Sequence, residues 1–303
     1  QFPLFHLDYI LPLMKTSSFG MNQSLQEIWP QLQQLDPNVQ IIGGYGLYLK
    51  QTWLRDSLGA VTHFIPMTQW TGESIPRTTK DMDVGVSPSL IANPGKQGEL
   101  AEVLQNAGFQ YVEWKKQWGL FKQGEEGEII ELEFHAPLPD NEYSKNLRTD
   151  SHRIKPRPSL HYGIHGRTNP ELIGLAHPFF FDLDRLHLAI PNILTAATMK
   201  LMAFQARWES SQNVAGKSSD LDEAQKHARD VFRIVAMETE EERRNLQELR
   251  QHLEQQELYH KCQIIVDDYF SAPGRQGFDF TSRYWHRESQ MAIAQELRLW
   301  FAL

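Results

Sequence analysis

Aspartates alternate with apolar residues in the segment Arg77-Thr78-Thr79-Lys80-Asp81-Met82-Asp83-Val84-Gly85-Val86. Because successive side chains of a β-strand point to opposite faces, Asp81 and Asp83 share one face and the apolar residues face a core. Two carboxylates at this spacing lie roughly 6–7 Å apart and repel each other unless a cation lies between them. Mg²⁺ accepts one or two carboxylates together with substrate phosphates, so the segment predicts a metal site. A solvated strand edge with two surface aspartates is the alternative.

Two adjacent glycines, Gly43 and Gly44, stand between a short apolar segment at residues 39–42 and a helical pattern over residues 45–58. Glycine lets the backbone approach a ligand closely, and the start of a helix offers free N–H groups to an anion. The pair predicts a phosphate-binding turn, with a purely structural strand-to-helix turn as the alternative.

A second acidic strand is predicted at residues 128–134, Glu128-Ile129-Ile130-Glu131-Leu132-Glu133-Phe134. Its alternation places Glu131 and Glu133 on one face and the apolar residues on the other. If this strand neighbours the first one, a third carboxylate joins Asp81 and Asp83 to hold one or two metal ions. Strand register decides between the two glutamates, and a solvated strand face is the alternative.

Together these segments resemble the nucleotidyltransferases of the DNA polymerase β superfamily, and within them the AbiEii-like group of toxin nucleotidyltransferases. The matching stretches are Gly43-Gly44-Tyr45-Gly46-Leu47, Arg77-Thr78-Thr79-Lys80-Asp81-Met82-Asp83 and Glu133-Phe134-His135-Ala136-Pro137. The resemblance implies an α+β fold, in which a polymerase-β-type core with a mixed sheet and flanking helices precedes an α-helical C-terminal domain. We place the core at residues 1–165 and the helical domain at residues 166–303.

The resemblance also implies the metal ligands and catalytic residues. Asp81 and Asp83 would hold Mg²⁺ (or Mn²⁺), and Glu133 would be the third catalytic carboxylate, with Glu131 as the alternative. Many relatives have Asp at the third position. The extra methylene of Glu requires a different backbone distance.

Nucleotide binding is implied for residues in both halves of the chain: Gly43, Gly44, Arg77, Thr79, Lys200, Lys226 and Asp230. Lys226 and Asp230 are spaced i,i+4, so a plain helix salt bridge is the alternative for that pair. Lys200 lies in an apolar helical segment, where its ammonium must either reach solvent or meet an anion.

The remaining sequence predicts a long loop and then helices. Residues 137–167 contain several prolines and little periodicity, which indicates a long loop or a bridge between domains. Within them, residues 141–167 carry six basic and two acidic side chains, a composition that suits either an RNA-guiding loop or a solvated one. From about Asp182 onward the pattern is helical, at roughly 192–209, 217–238, 240–259, 257–270 and 286–302.

Composition restricts the class of protein. The formal net charge of -8 gives no overall attraction to nucleic acid or to an anionic membrane. The single cysteine, Cys262, excludes an intramolecular disulfide. No stretch approaches the roughly 20 apolar residues of a membrane helix, and the first residues do not resemble a signal peptide. We therefore expect a cytoplasmic protein with no membrane partner.

The resemblance implies a metal-dependent nucleotidyltransferase that moves NMP from an NTP to an acceptor, either a protein hydroxyl or tRNA. It also implies the role of toxin in a toxin–antitoxin or phage-defence system, with an antitoxin protein as a partner. A catalytically silent nucleotide- or RNA-binding protein with the same fold is the alternative. An antibiotic-modifying nucleotidyltransferase is a third possibility, which the basic segment at residues 141–167 disfavours.

Overall fold

The computed structural model describes most of the chain. The described residues are 11–57, 60–70, 81–115, 117–125, 127–140, 142–143, 145–150, 152–213 and 218–303. Arg77 and Thr79, for which nucleotide binding is implied, lie outside them.

The chain divides into two compact units. The first lies within residues 1–49, 77–170 and 180–190, and the second within residues 50–76, 171–179 and 191–303. The domain boundary that we place between residues 165 and 166 stays a prediction.

The strands are grouped in two sheets. Their bounds are β1 (Gln40–Ile42), β2 (Asp81–Gly85), β3 (Gln110–Tyr111), β4 (Gly119–Gln123), β5 (Ile129–Ala136), β6 (Leu147–Thr149), β7 (Arg153–Pro156), β8 (Gly166–Thr168), β9 (Pro178–Leu183) and β10 (Leu186–Pro191). The larger sheet has the order β1-β2-β5-β8-β7-β6, with β4 also paired to β5 and β3 paired to β4. β9 and β10 pair separately.

The larger sheet is mixed, since β5 runs parallel to β2 and β8 and antiparallel to β4. Its apolar face is fully buried at Met82 and Val84 of β2 and at Leu132 and Phe134 of β5. This alternation is the one that the sequence predicts for both strands, because each has one face in a core.

The helices are α1 (Leu11–Leu35), α2 (Gly43–Asp56), α3 (Pro88–Ala92), α4 (Pro94–Asn106), α5 (Ile193–Gln212), α6 (Ser218–Ala236), α7 (Glu240–Leu253), α8 (Glu257–Ile265), α9 (Gln276–Asp279) and α10 (Arg287–Trp300). An α+β fold with a mixed sheet and C-terminal helices is therefore confirmed. In the part of the chain that the structure describes, no helix is both long and apolar enough to cross a membrane.

The prediction of a long loop or bridge at residues 137–167 was wrong. Three short strands, β6, β7 and β8, extend the larger sheet there beyond β5. Leu147 and Ile154 are buried on one face, whereas Arg148 is exposed. Strands of three or four residues are too short to show a period of two in the sequence, and their prolines and glycines indicate a loop. The β9–β10 hairpin was also missed, since a helical pattern was predicted from about residue 182.

The C-terminal helices form the core of the second unit. α5 and α6 pack along each other, and Phe204 and Phe232 both contact the ring of Phe270, which follows α8. α7 begins with a reciprocal cap, in which Thr239 and Glu242 each accept a hydrogen bond from the other's backbone N–H. Such a cap satisfies two otherwise unpaired donors at the helix start.

Candidate metal centre

The register of β2 and β5 brings the predicted acidic residues together. Asp83 lies opposite Glu133 and Asp81 lies opposite Glu131 in this parallel pair, and the next same-face position of β5 is His135. Residues paired in register share a face. One face of the sheet therefore carries all four carboxylates and one imidazole.

The turn at Gly43 lies beside the carboxylate of Asp83. β1 runs antiparallel to β2 with Ile42 opposite Asp83, and Gly43 follows with a φ of 68°. A Cβ added to Gly43 would lie 3.2 Å from Asp83 Cγ and still closer to its carboxylate oxygen. Both the positive φ and the close approach of Asp83 thus require glycine at position 43. Gly44 follows in the first turn of α2, where backbone N–H groups have no partner within the helix.

Three side chains present ligand atoms to one point. Atoms of Asp83, Glu133 and His135 all lie within 4.8 Å of one another. His135 Nε2 is 3.3 Å from Asp83 Oδ1 and 3.8 Å from Glu133 Oε2. This nitrogen is buried and has no hydrogen-bond partner among the described residues. Two carboxylate oxygens and an imidazole nitrogen are ligands that suit a divalent metal ion, so the residues fit one.

The other ring nitrogen of His135 faces Asn169. Asn169 Nδ2 lies 3.4 Å from His135 Nδ1, and the backbone N–H of Asn169 donates to the Ala136 carbonyl at 2.9 Å. The Asn169 backbone is thus anchored to β5, and its side-chain amide lies on the Nδ1 side of the ring, opposite the Nε2 edge that faces the carboxylates. An outer partner of this kind is what orients a metal-binding histidine.

Two cations lie near Glu133. Lys115 Nζ donates to Glu133 Oε1 at 2.6 Å and also to Glu131, and Arg167 Nη1 lies 3.5 Å from Glu133 Oε2. Burial opposes the charge of Lys115, but its bonds to the two glutamates raise its pKa above the ordinary value. Lys115 therefore stays protonated and compensates part of the acidic charge.

Gly119 makes room for Lys115. Gly119 pairs with Glu133 across β4 and β5, and a Cβ there would lie 2.9 Å from Lys115 Cβ. The lysine ammonium also lies 5.0 Å from the ring centre of the exposed Trp114 and 5.8 Å from that of Trp118. Aromatic faces of this kind stabilise a cation that has left water.

A pocket of about 530 Å³ opens elsewhere in the first unit, between α1, the end of α4 and the β4–β5 connection. Its walls include Ile130 and the ion pair of Glu27 with Lys122, 2.7 Å long. Ile130 points to the opposite face of β5 from Glu131 and Glu133. This pocket is therefore separate from the carboxylates.

The predicted site residues are brought together in part. Asp83 and Glu133 converge with the Gly43 turn, whereas Asp81 shares the face without belonging to the described three-residue ligand group. Glu133 belongs to that ligand group and Glu131 does not, which favours Glu133 over Glu131 as the third carboxylate, although that assignment stays a prediction.

Lys200, Lys226 and Asp230 lie in the second unit. Lys200 forms an ion pair with Asp230, in which Lys200 Nζ lies 2.8 Å from Asp230 Oδ2. Lys226 Nζ bonds to Glu223 at 2.8 Å. The roles of these residues in nucleotide binding stay predictions from the resemblance.

Sequence reasoning missed several residues of the centre. His135 continues the same-face alternation of Glu131 and Glu133, so its position could have been found from the period of two. Lys115 and Gly119 gave no such signal, because one is in a short 3-10 turn and the other in a weakly patterned strand. Arg167 belongs to a strand that was predicted as loop.

Comparisons with known proteins identify no relative. No protein-family model matches the chain, and neither a curated protein nor a solved structure matches it significantly.

Proposed function

We propose that the chain is a metal-dependent nucleotidyltransferase with a polymerase-β-type core, similar to the AbiEii-like toxins. The observation that carries the proposal is the meeting of Asp83 and Glu133, in register on parallel strands, with the glycine turn at Gly43. A carboxylate pair beside the first turn of a helix suits a divalent ion bound together with a triphosphate.

In the proposed reaction an acceptor hydroxyl attacks the α-phosphorus of an NTP, the bond to the β-phosphate oxygen breaks, and pyrophosphate leaves. Asp83 and Glu133, with Asp81 beside them, would hold the ion, whose charge would offset that of the triphosphate. The N–H groups of Gly43 and Gly44 would hold phosphate oxygens. Positioning and charge stabilisation of this kind supply most of the rate in phosphoryl-type transfer.

Glu133 would orient the acceptor hydroxyl, whose proton would pass to solvent as the new P–O bond forms. Lys115 donates a hydrogen bond to Oε1 of Glu133, so Oε2 is the oxygen that Lys115 leaves available. The acceptor would be a protein hydroxyl or tRNA. In a toxin–antitoxin or phage-defence system, an antitoxin protein would be the partner that restrains this activity.

A second function is favoured by one observation. Lys115 and Arg167 already offset charge on Glu133, which a protein that binds a nucleotide or RNA without turnover would tolerate. That alternative keeps the same fold and predicts nucleotide binding without transfer.

The two functions are separated by a transfer assay. The chain is incubated with each α-³²P-labelled NTP, Mg²⁺ or Mn²⁺, total tRNA and a bacterial protein extract, and labelled acceptors are separated on gels. Asp83→Asn should reduce labelling by at least about 100-fold, an effect of the size expected when a group that stabilises the transition state is lost. The matched control, Asp182→Asn, changes an exposed aspartate and should label like the wild type. Full labelling by Asp83→Asn would exclude transfer at this site, and nucleotide binding without labelling would favour the silent protein.

A further inference from the structure

We infer that the centre binds one divalent ion of the transition-metal class, such as Mn²⁺, with His135 Nε2 as its third ligand beside Asp83 and Glu133. The role of that ion in transfer rests on the proposed function, whereas its binding does not.

The distances fit a single ion. Ligands bound at about 2.1 Å lie about 3.0 Å apart at right angles and about 4.2 Å apart when opposite. The two separations from His135 Nε2, 3.3 Å to Asp83 Oδ1 and 3.8 Å to Glu133 Oε2, fall between these limits. The Asp83 and Glu133 oxygens lie within 4.8 Å of each other, close to the limit of about 4.2 Å for opposite ligands.

The burial and hydrogen bonding of the His135 imidazole favour a bound metal ion. Its side chain is about nine-tenths buried, and its Nε2 lacks a hydrogen-bond partner among the described residues. A buried polar atom without a hydrogen-bond partner costs free energy, and a bound divalent ion would satisfy it. Because Nδ1 is directed at Asn169, Nε2 is the nitrogen available to an ion.

Ligand chemistry selects the class of metal. Mg²⁺ prefers oxygen ligands and keeps several of its waters. An imidazole nitrogen adds affinity for first-row transition ions instead, and affinity at mixed sites generally rises from Mn²⁺ towards Co²⁺ and beyond. A centre with one nitrogen and two carboxylates should therefore bind Mn²⁺ more tightly than Mg²⁺.

The test uses Mn²⁺ and Mg²⁺ alone, with the full chain and no nucleotide. Free Mn²⁺ is counted by electron paramagnetic resonance during titration, and Mg²⁺ is added in competition. We expect one Mn²⁺ per chain, bound at least about tenfold more tightly than Mg²⁺. His135→Gln should weaken Mn²⁺ binding by about tenfold or more and leave Mg²⁺ binding within a factor of about two. His187→Gln is the matched control, because His187 is exposed and bonds to Asp182.

A second measurement requires no variant. Electron spin-echo modulation of bound Mn²⁺ should show coupling to an imidazole nitrogen in the wild type. Absence of that coupling, or equal losses of Mn²⁺ and Mg²⁺ affinity in His135→Gln, would overturn the inference. Nitrogen coupling without NMP transfer would reject the proposed function and keep the metal site. Transfer with Mg²⁺ but no nitrogen coupling would keep the proposed function and reject the metal site.

Discussion

Asp83 of β2 and Glu133 of β5 lie directly opposite each other on neighbouring parallel strands, with their side chains on the same face of the sheet. That pairing brings together two carboxylates that are far apart in the sequence, next to a glycine that has no room for a side chain.

Gly43→Ala should abolish metal and nucleotide binding as well as reduce stability. The positive φ costs roughly 1 kcal/mol for alanine, and the added Cβ would also displace the Asp83 carboxylate. Gly108→Ala is a matched control, since Gly108 has a φ of 82° but nothing within 4 Å of an added Cβ. Thermal unfolding and Mn²⁺ titration of both variants check this. Equal Mn²⁺ binding by the two would show that the Gly43 turn does not define the centre.

Lys115→Met should make the stability of the protein depend on divalent metal. Without the ammonium, Glu131 and Glu133 repel the other carboxylates, and the loss of a largely buried pair costs up to about 3 kcal/mol. The same change leaves more negative charge for a cation, so Mn²⁺ affinity should rise.

The measurement for this variant is the melting temperature with and without Mn²⁺. The rise caused by Mn²⁺ should be larger for Lys115→Met than for the wild type. Lys122→Met serves as the control, because Lys122 pairs with Glu27 beside the separate pocket and should not change the effect of Mn²⁺. A smaller metal effect in Lys115→Met would show that the lysine supports ion binding rather than compensating for an ion.

Ionisation of the Glu238 carboxyl group should lower the free energy of unfolding of the second unit as pH rises. Burial raises the pKa of Glu238 to about 7, against the pull of its hydrogen bond to Arg243, 2.6 Å long. Between the ordinary value of 4.5 and 7 the folded chain keeps a proton that the unfolded chain has lost. The contribution to stability is thus complete below pH 4.5 and is lost as pH rises through 7, with a slope of at most about 1.4 kcal/mol per pH unit.

Urea unfolding of the wild type and Glu238→Gln over this pH range checks the sign. The stability of Glu238→Gln relative to the wild type should increase between pH 5 and 7. Burial lowers the pKa of His227 to about 4, so His227 makes stability rise with pH. This contribution is the same in the wild type and in Glu238→Gln. The difference between the two curves therefore reports Glu238 together with Glu296, which shares Arg243 with it. A flat difference would mean that Glu238 ionises in the folded chain as it does in the unfolded one.

The strands that form the centre were predictable because each has one face in a core. Met82 and Leu132 are fully buried between acidic neighbours that face the other way, and this gives a period of two in the sequence. The turn at Gly43 was predictable because an apolar strand runs directly into two glycines and a helix. These local signals predicted the strands and the turn, and the resemblance supplied their roles.

The parts that were missed depend on tertiary structure. The register that places Asp83 opposite Glu133 arises from packing of the whole sheet, and no local pattern distinguishes it from pairing with Glu131. Lys115 reaches both glutamates from a turn outside the strands, across a glycine in β4. β6 to β8 are recognisable as strands only through their partners, which supply the hydrogen bonds that three or four residues cannot provide alone.

The most direct test of the centre is a crystal structure of the chain with Mn²⁺ and a non-hydrolysable NTP, measured at the manganese absorption edge. The proposed arrangement predicts an anomalous peak about 2.1 Å from oxygens of Asp83 and Glu133, with the triphosphate against the N–H groups of Gly43 and Gly44. A manganese peak away from these carboxylates, or a triphosphate bound away from the glycine turn, would contradict it.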